Sequence, residues 1–199
     1  MLLISDPEVR QVLSMGDCIE VMERAFAEES KGIAVSAPRT RYKVQPDLDQ
    51  PGYMATIIPG AVPSCEVAAP RYASTIVQER IVAGTKRMDF YSPTKRNWDF
   101  VMLFSLQTGE PLALIHDYSL SAIRVGATTG VVHRLLAKKN SKIVGIFGSG
   151  HQARANLCGS SNYGGASRAH KRSANHLLQK QHRTRYSVCG RWSRDLRSL

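Results

Sequence analysis

The spacing of apolar residues changes period along the chain, and each change predicts a different element. SDPEVRQVL offers Ser5 or Asp6 as an N-cap, Pro7 at the first helical position, and Val9, Val12 and Leu13 on one face, which predicts a short helix. GDCIEVMERAFAEESKG predicts a second: Asp17 can cap it, Ile19, Met22 and Phe26 share a stripe, and Lys31 with Gly32 closes it. From Ala37 to His116 the pattern becomes strand-like in RTRYKV, MATIIP, AAPRYASTIV, FVMLFSL and PLALIH, with DQPG and QTGEP as turns. QTGEP joins the last two into a hairpin, so the sheet is expected to be antiparallel or mixed. VAGTKRMDFYSPTKRNWD is polar and reads as a solvated loop, with Trp98 placed to cover a sheet edge.

Helical period returns in YSLSAIRVGATTGVVHRLLAKKN. Ser119 or Ser121 caps, Leu120, Ile123, Ala127, Val131 and Leu135 form the stripe, and Asn140 ends it. Gly126 and Gly130 lie inside this helix, where each costs about 1 kcal/mol against alanine. They point to close approach of another backbone or to tolerated packing, and the sequence does not choose.

Next comes an apolar run, Lys142 to Phe147, and then Gly148-Ser149-Gly150-His151-Gln152-Ala153, a G-x-G-x-x-A turn opening a helical pattern. Strand, glycine turn and helix in that order are the means by which a chain grips a dinucleotide pyrophosphate. The first glycine makes the turn, the second lets backbone approach phosphate, and Ala153 permits close packing of helix on strand. Exposed amides and the helix dipole then favour an anion. The acidic residue expected about 20 positions on, for a ribose hydroxyl, is replaced by a basic stretch from Arg168 to Arg172.

Charge changes the picture mainly at the C-terminal end. The net charge is +11, and residues 157–199 hold nine Lys+Arg against the single Asp195, which gives +8 for that segment alone. That segment also loses hydrophobic periodicity and reads as unstructured. A basic arm for nucleic acid is the weaker account of it; a native continuation replaced by unrelated sequence is the stronger. Elsewhere no run reaches the roughly 18 apolar residues of a membrane helix, and the start lacks a basic leader. Cys18, Cys65, Cys158 and Cys189 show no metal-ligand spacing and read as reduced thiols of a cytoplasmic protein, with no metal site.

Four stretches make a resemblance specific: PRTRY at 38–42, TGEPLALIHD at 108–117, LSAIRVGATTGVVHRLLA at 120–137 and VGIFGSGHQAR at 144–154. In order and spacing they resemble the ornithine cyclodeaminase and mu-crystallin family across nearly all of residues 1–157. The resemblance implies an α/β fold: an N-terminal mixed α/β dimerisation and substrate domain over 1–118, then the start of a Rossmann-type domain over 119–157, with 158–199 as a tail. It implies NAD or NADP as cofactor and a small amino-acid or imine substrate, oxidised and cyclised or reduced. It also implies a homodimer with no membrane or nucleic-acid partner.

Arg39 and Arg124 fall on the family's arginine motifs and carry over as ligands of the substrate carboxylate, which a planar guanidinium fork suits. Arg71 carries over to the same role with a departure, since many members have lysine there. Gly148, Ser149, Gly150, His151, Gln152 and Ala153 carry over as the cofactor turn. Val125 stands where threonine commonly follows the helix arginine, and the family's downstream proton-transfer aspartate has no counterpart. The expectation is therefore a chain whose Rossmann domain is truncated and whose activity is weak or absent; the alternative is a non-catalytic dimeric module that binds small ligands.

Overall fold

A computed structural model describes residues 1–45, 50–91, 98–141 and 143–162, so the tail expectation for 158–199 falls almost wholly outside it. The described chain forms two compact units, Met1–Asp6 with Glu28–Tyr118 and Pro7–Ala27 with the chain from Ser119 onward.

The first unit is a ten-stranded sheet. Its strands are β1 (Leu2–Ile4), β2 (Val35–Ser36), β3 (Thr40–Val44), β4 (Gly52–Ile58), β5 (Gly60–Val62), β6 (Val67–Ala68), β7 (Arg71–Val82), β8 (Thr85–Tyr91), β9 (Phe100–Ser105) and β10 (Pro111–His116). The main path runs β2-β5-β6-β9-β7-β4-β3, with β10 on β9, β1 on β10 and β8 on β7. Only β1 with β10 is parallel among the described pairs. The mixed, largely antiparallel sheet expected from alternating apolar residues is present. The β9–β10 hairpin turns at QTGEP, with Gly109 at φ 74° and the Ser105 hydroxyl accepting from the amides of Gln107 and Thr108.

Within the expected loop over 82–99, residues 82–91 depart from it. Thr85–Tyr91 is a strand paired residue for residue with Ile76–Val82. The turn is only two residues long, Ala83 at φ 49° and Gly84 at φ 74°. Two positive φ values in succession match the right-handed twist of a hairpin, and charged Lys86, Arg87 and Asp89 suit an edge strand that must not pair further. Trp98 is 46% exposed. One face of the β3, β4 and β7 region carries a tyrosine cluster, with the hydroxyls of Tyr42 and Tyr53 at 2.7 and 2.9 Å from that of Tyr72.

The second unit is helical. Helices α1 (Asp6–Val12), α2 (Met15–Ser30), α3 (Asp117–Leu136) and α4 (His151–Asn162) contribute to it. Its core is Cys18 and Ile19 from α2 with Ile123, Ala127 and Val131 from α3; all but Cys18 are residues the helical period selects, while Phe26 and Leu135 of the same stripes are exposed. Val9 is buried, but Val12 is 77% exposed, so the α1 stripe is narrower than its pattern suggests. The cap of α2 is Ser14, whose hydroxyl accepts the Asp17 amide at 3.1 Å. Asp17 is the third helical residue, and its carboxylate accepts from the Ser14 hydroxyl. At the other end Gly32, at φ 69°, donates to Glu29 and Ile33 donates to Glu28, a Schellman closure. Helix α3 begins at Asp117, ahead of the two serines expected to cap it, and stops at Leu136, short of Asn140.

Of the strand expected over 142–147, residue 142 lies outside the described residues and 143–147 form none. Residues 143–147 carry no strand pairing, and Phe147 is fully exposed. Strand structure is a property of a pair, and no described strand lies alongside these residues. Cys18 and Cys65 are free thiols, as the scattered cysteine spacing led one to expect for these two, and Cys189 lies outside the described residues.

Candidate functional site

Helix α4 opens at the glycine turn. Gly148 has φ 97°, a conformation that favours glycine, and among the described residues neither Gly148 nor Gly150 has an atom within 4 Å of where a Cβ would stand. The Gly150 carbonyl accepts the first helical bond, from the Arg154 amide at 3.2 Å, so His151, Gln152 and Ala153 form the opening turn. A helix end leaves its first amides without an intrahelical acceptor and carries partial positive charge. Open space over two glycines beside such an end fits a diphosphate, and the amides from Ser149 to Ala153 are the groups that would hold it. A nicotinamide dinucleotide, were it held there, would give or accept a hydride.

Helix α3 receives α4 at its two interior glycines. A Cβ on Gly126 would collide with the Ala155 carbonyl, and one on Gly130 would stand 3.0 Å from the Gly159 oxygen and 2.8 Å from Ile19 Cδ1. The glycines thus serve a close approach of backbones, which the sequence had left open. Thr129 adds a polar tie, its hydroxyl donating to Asn156 Oδ1 at 2.6 Å. Arg124 lies on the same helix, exposed, two residues before Gly126. It lies near Cys18, whose thiol is pushed up to about 11 by burial despite the opposing pull of the Arg124 charge.

In the sheet unit, Arg71 opens β7 and is already partnered. Its Nη2 donates to Asp99 Oδ2 at 2.8 Å, and its Nε donates to Asp117. Asp99 also accepts the Ser74 amide at 3.1 Å, and the Asp117 amide donates to the Asp99 carbonyl at 2.8 Å. The Asp117 side chain is only 3% exposed. Asp99 and Asp117 stand 28 and 46 residues from Arg71, too far for any sequence pattern to tie them to it. Arg39 immediately precedes β3, is exposed, and makes no ion pair among the described residues. The six turn residues therefore lie together in the helical unit with Arg124, while Arg39 and Arg71 belong to the sheet unit.

No group of three or more acidic, histidine or cysteine side chains is placed to hold a metal among the described residues, and no described helix is long and apolar enough to cross a membrane.

Sheet, helical unit and glycine turn together define an α/β chain of the dinucleotide-turn class. Residues 1–163 match the Ornithine cyclodeaminase/mu-crystallin family, and the chain belongs to that family. It is 33% identical over 156 residues to Delta(1)-pyrroline-2-carboxylate reductase of Bacillus cereus, covering 77% of this chain and 43% of that protein. It is 26% identical over 160 residues to an NAD(P)H-dependent anabolic L-arginine dehydrogenase of Pseudomonas aeruginosa, covering 78% and 44%. The chain thus spans less than half the length of these curated relatives. The solved Thermococcus litoralis Delta(1)-pyrroline-2-carboxylate reductase, in complex with NADH and L-proline, has the same fold at a TM-score of 0.65 and 24% identity, over 90% of this chain and 54% of that one.

Proposed function

We propose that the chain supplies the substrate side and the first cofactor turn of an NAD(P)-dependent oxidoreductase that interconverts a small amino acid and its imine. In this reading the sheet-bearing N-terminal part binds substrate and dimerises, and the nucleotide domain begins with α3 and α4. Arg39, Arg71 and Arg124 carry over from the family, each taken by itself, as ligands for a substrate carboxylate through charge-assisted hydrogen bonds, and Gly148 to Ala153 hold the diphosphate. The observation that supports this best is the seating of α4 on Gly126 and Gly130 of α3, which puts the glycine turn and Arg124 on helices in backbone contact.

By itself the chain is weak or inactive in turnover, because hydride transfer needs a sheet that holds nicotinamide within near-attack distance, and residues 143–147 have no described strand beside them. Titration with NADH and NADPH, followed by fluorescence, tests both parts. We expect binding weaker than about micromolar, lost in Gly150→Val. No response at millimolar nucleotide would remove the cofactor role; a micromolar dissociation constant would remove the claim of weakness.

The unpaired run at 143–147 also favours a second reading, a dimeric module that binds small ligands without turnover. Dimerisation and ligand binding by residues 1–140, without any nucleotide response from the full chain, would select it.

A further inference from the structure

On one face of the sheet the antiparallel register aligns Arg41 of β3 with Thr56 of β4 and Ala73 of β7. Residues directly opposite share a face, as do residues two apart on one strand, so Arg41, Lys43, Thr56 and Arg71 all belong to it. Arg39 stands immediately before β3, two residues from Arg41, and Arg71 opens β7, the neighbour of β4.

Charge on this face is unevenly balanced. Lys43 is paired with Glu79 at 2.9 Å, and Arg71 is held by Asp99 and Asp117. Arg39 and Arg41 have no carboxylate partner among the described residues. Arg41 is nevertheless oriented, because its Nε donates at 3.2 Å to the hydroxyl of Thr56, which is only 6% exposed. That bond uses the inner nitrogen and leaves the two terminal nitrogens, the bidentate edge of the guanidinium, for an acceptor from outside. Residues two apart in the chain stand at most about 7 Å apart, a separation that lets the guanidinium groups of Arg39 and Arg41 each take one carboxylate of a short diacid.

We propose that Arg41 is a specificity-determining residue that reads a second acidic group, so that the substrates of this site are dicarboxylic amino or imino acids. This rests on the functional reading above, with Arg39 taking the α-carboxylate and Arg41 the distal one. Thr56 acts through Arg41 and is a positioning residue.

L-glutamate and L-glutamine differ only in the distal acid, which makes their ratio the measurement. Calorimetric titration of the full chain should show glutamate binding at least about tenfold tighter than glutamine, the effect of one charge-assisted contact. Arg41→Met should bring that ratio to near unity, Thr56→Val should lower it in part, and Arg87→Met, at an exposed position on β8, should leave it unchanged. A variant that merely loosened the sheet would weaken both ligands together and keep their ratio. Equal affinities in the parent chain, an unaltered ratio in Arg41→Met, or no binding of either amino acid would each overturn the proposal. The nucleotide titration stands apart from it: dinucleotide binding without glutamate preference removes the second-acid reading and leaves the oxidoreductase reading in place.

Discussion

Gly126 and Gly159 touch backbone to backbone: a side-chain carbon added to Gly159 would overlap the carbonyl group of Gly126. The contact sets how close α3 and α4 lie, and α4 carries the glycine turn at its start. In an open helix, glycine to alanine stabilises by up to about 1 kcal/mol. Here the sign reverses. Gly126→Ala and Gly159→Ala should each destabilise the chain by about 1–3 kcal/mol, the usual range for overpacking, measured from urea unfolding midpoints. Gly145→Ala, whose new methyl would meet nothing within 4 Å, is the control and should change the midpoint little.

Arg71 serves as an ion-pair node between the start of β7, the residue before β9 and the first residue of α3. Arg71→Met leaves the Asp117 carboxylate buried without that countercharge, and removing one partner of a buried pair costs about 3–5 kcal/mol. Chemical denaturation should show a loss of that order, partly recovered when Asp99→Asn and Asp117→Asn are added. If Arg71→Met matched the parent chain in stability, the node would carry no structural weight.

The parts legible in the sequence are those that local pattern determines. Ile19, Ile123, Ala127 and Val131 were selected by helical period and are core residues. The strands β3, β4, β7, β9 and β10 follow from apolar alternation between turns. Strand β8 was missed because TKRMDFY reads as polar, and its signal was the Ala83-Gly84 turn rather than its hydrophobicity. The apolar run ending at Phe147 read as a strand because period reports burial potential, whereas strand formation requires a neighbour. Of the candidate site, the glycine turn and the arginines were legible by motif. The two aspartates on Arg71 and the Thr56 hydroxyl on Arg41 were not, since register alone brings them together.

Cys18 lies in the helical core and its thiol is pushed up to about 11, first by burial. The folded chain therefore keeps this proton more tightly than the unfolded chain, whose thiol has the ordinary value of 9.0. The corresponding stability is complete below pH 9 and is lost as pH rises from there towards 11. The thiolate is the reactive form, so iodoacetamide at pH 8 should label Cys65, which is half-exposed, and spare Cys18. Peptide mass spectrometry distinguishes the sites, and rapid labelling of Cys18 in the folded chain would contradict its place in the core.

Glu79 of β7 bridges two strands, accepting from Lys86 of β8 at 2.6 Å and Lys43 of β3 at 2.9 Å. Lys86 first, and Lys43 with it, hold its carboxyl below the usual carboxylate range. A depressed carboxyl favours the folded state where the group is ionised in both states, and that contribution fades as pH falls through the folded-state value. Glu79→Gln should accordingly be less stable than the parent chain at pH 7, and the difference should close progressively below about pH 4.5, the ordinary glutamate value. Because the lysines approach from solvent, with the Lys86 side chain 66% exposed, added salt should narrow the gap at pH 7 as well. Thermal unfolding of both proteins across pH and ionic strength checks each arm, and a difference that stayed constant from pH 7 to pH 3 would show that Glu79 acts through packing rather than charge.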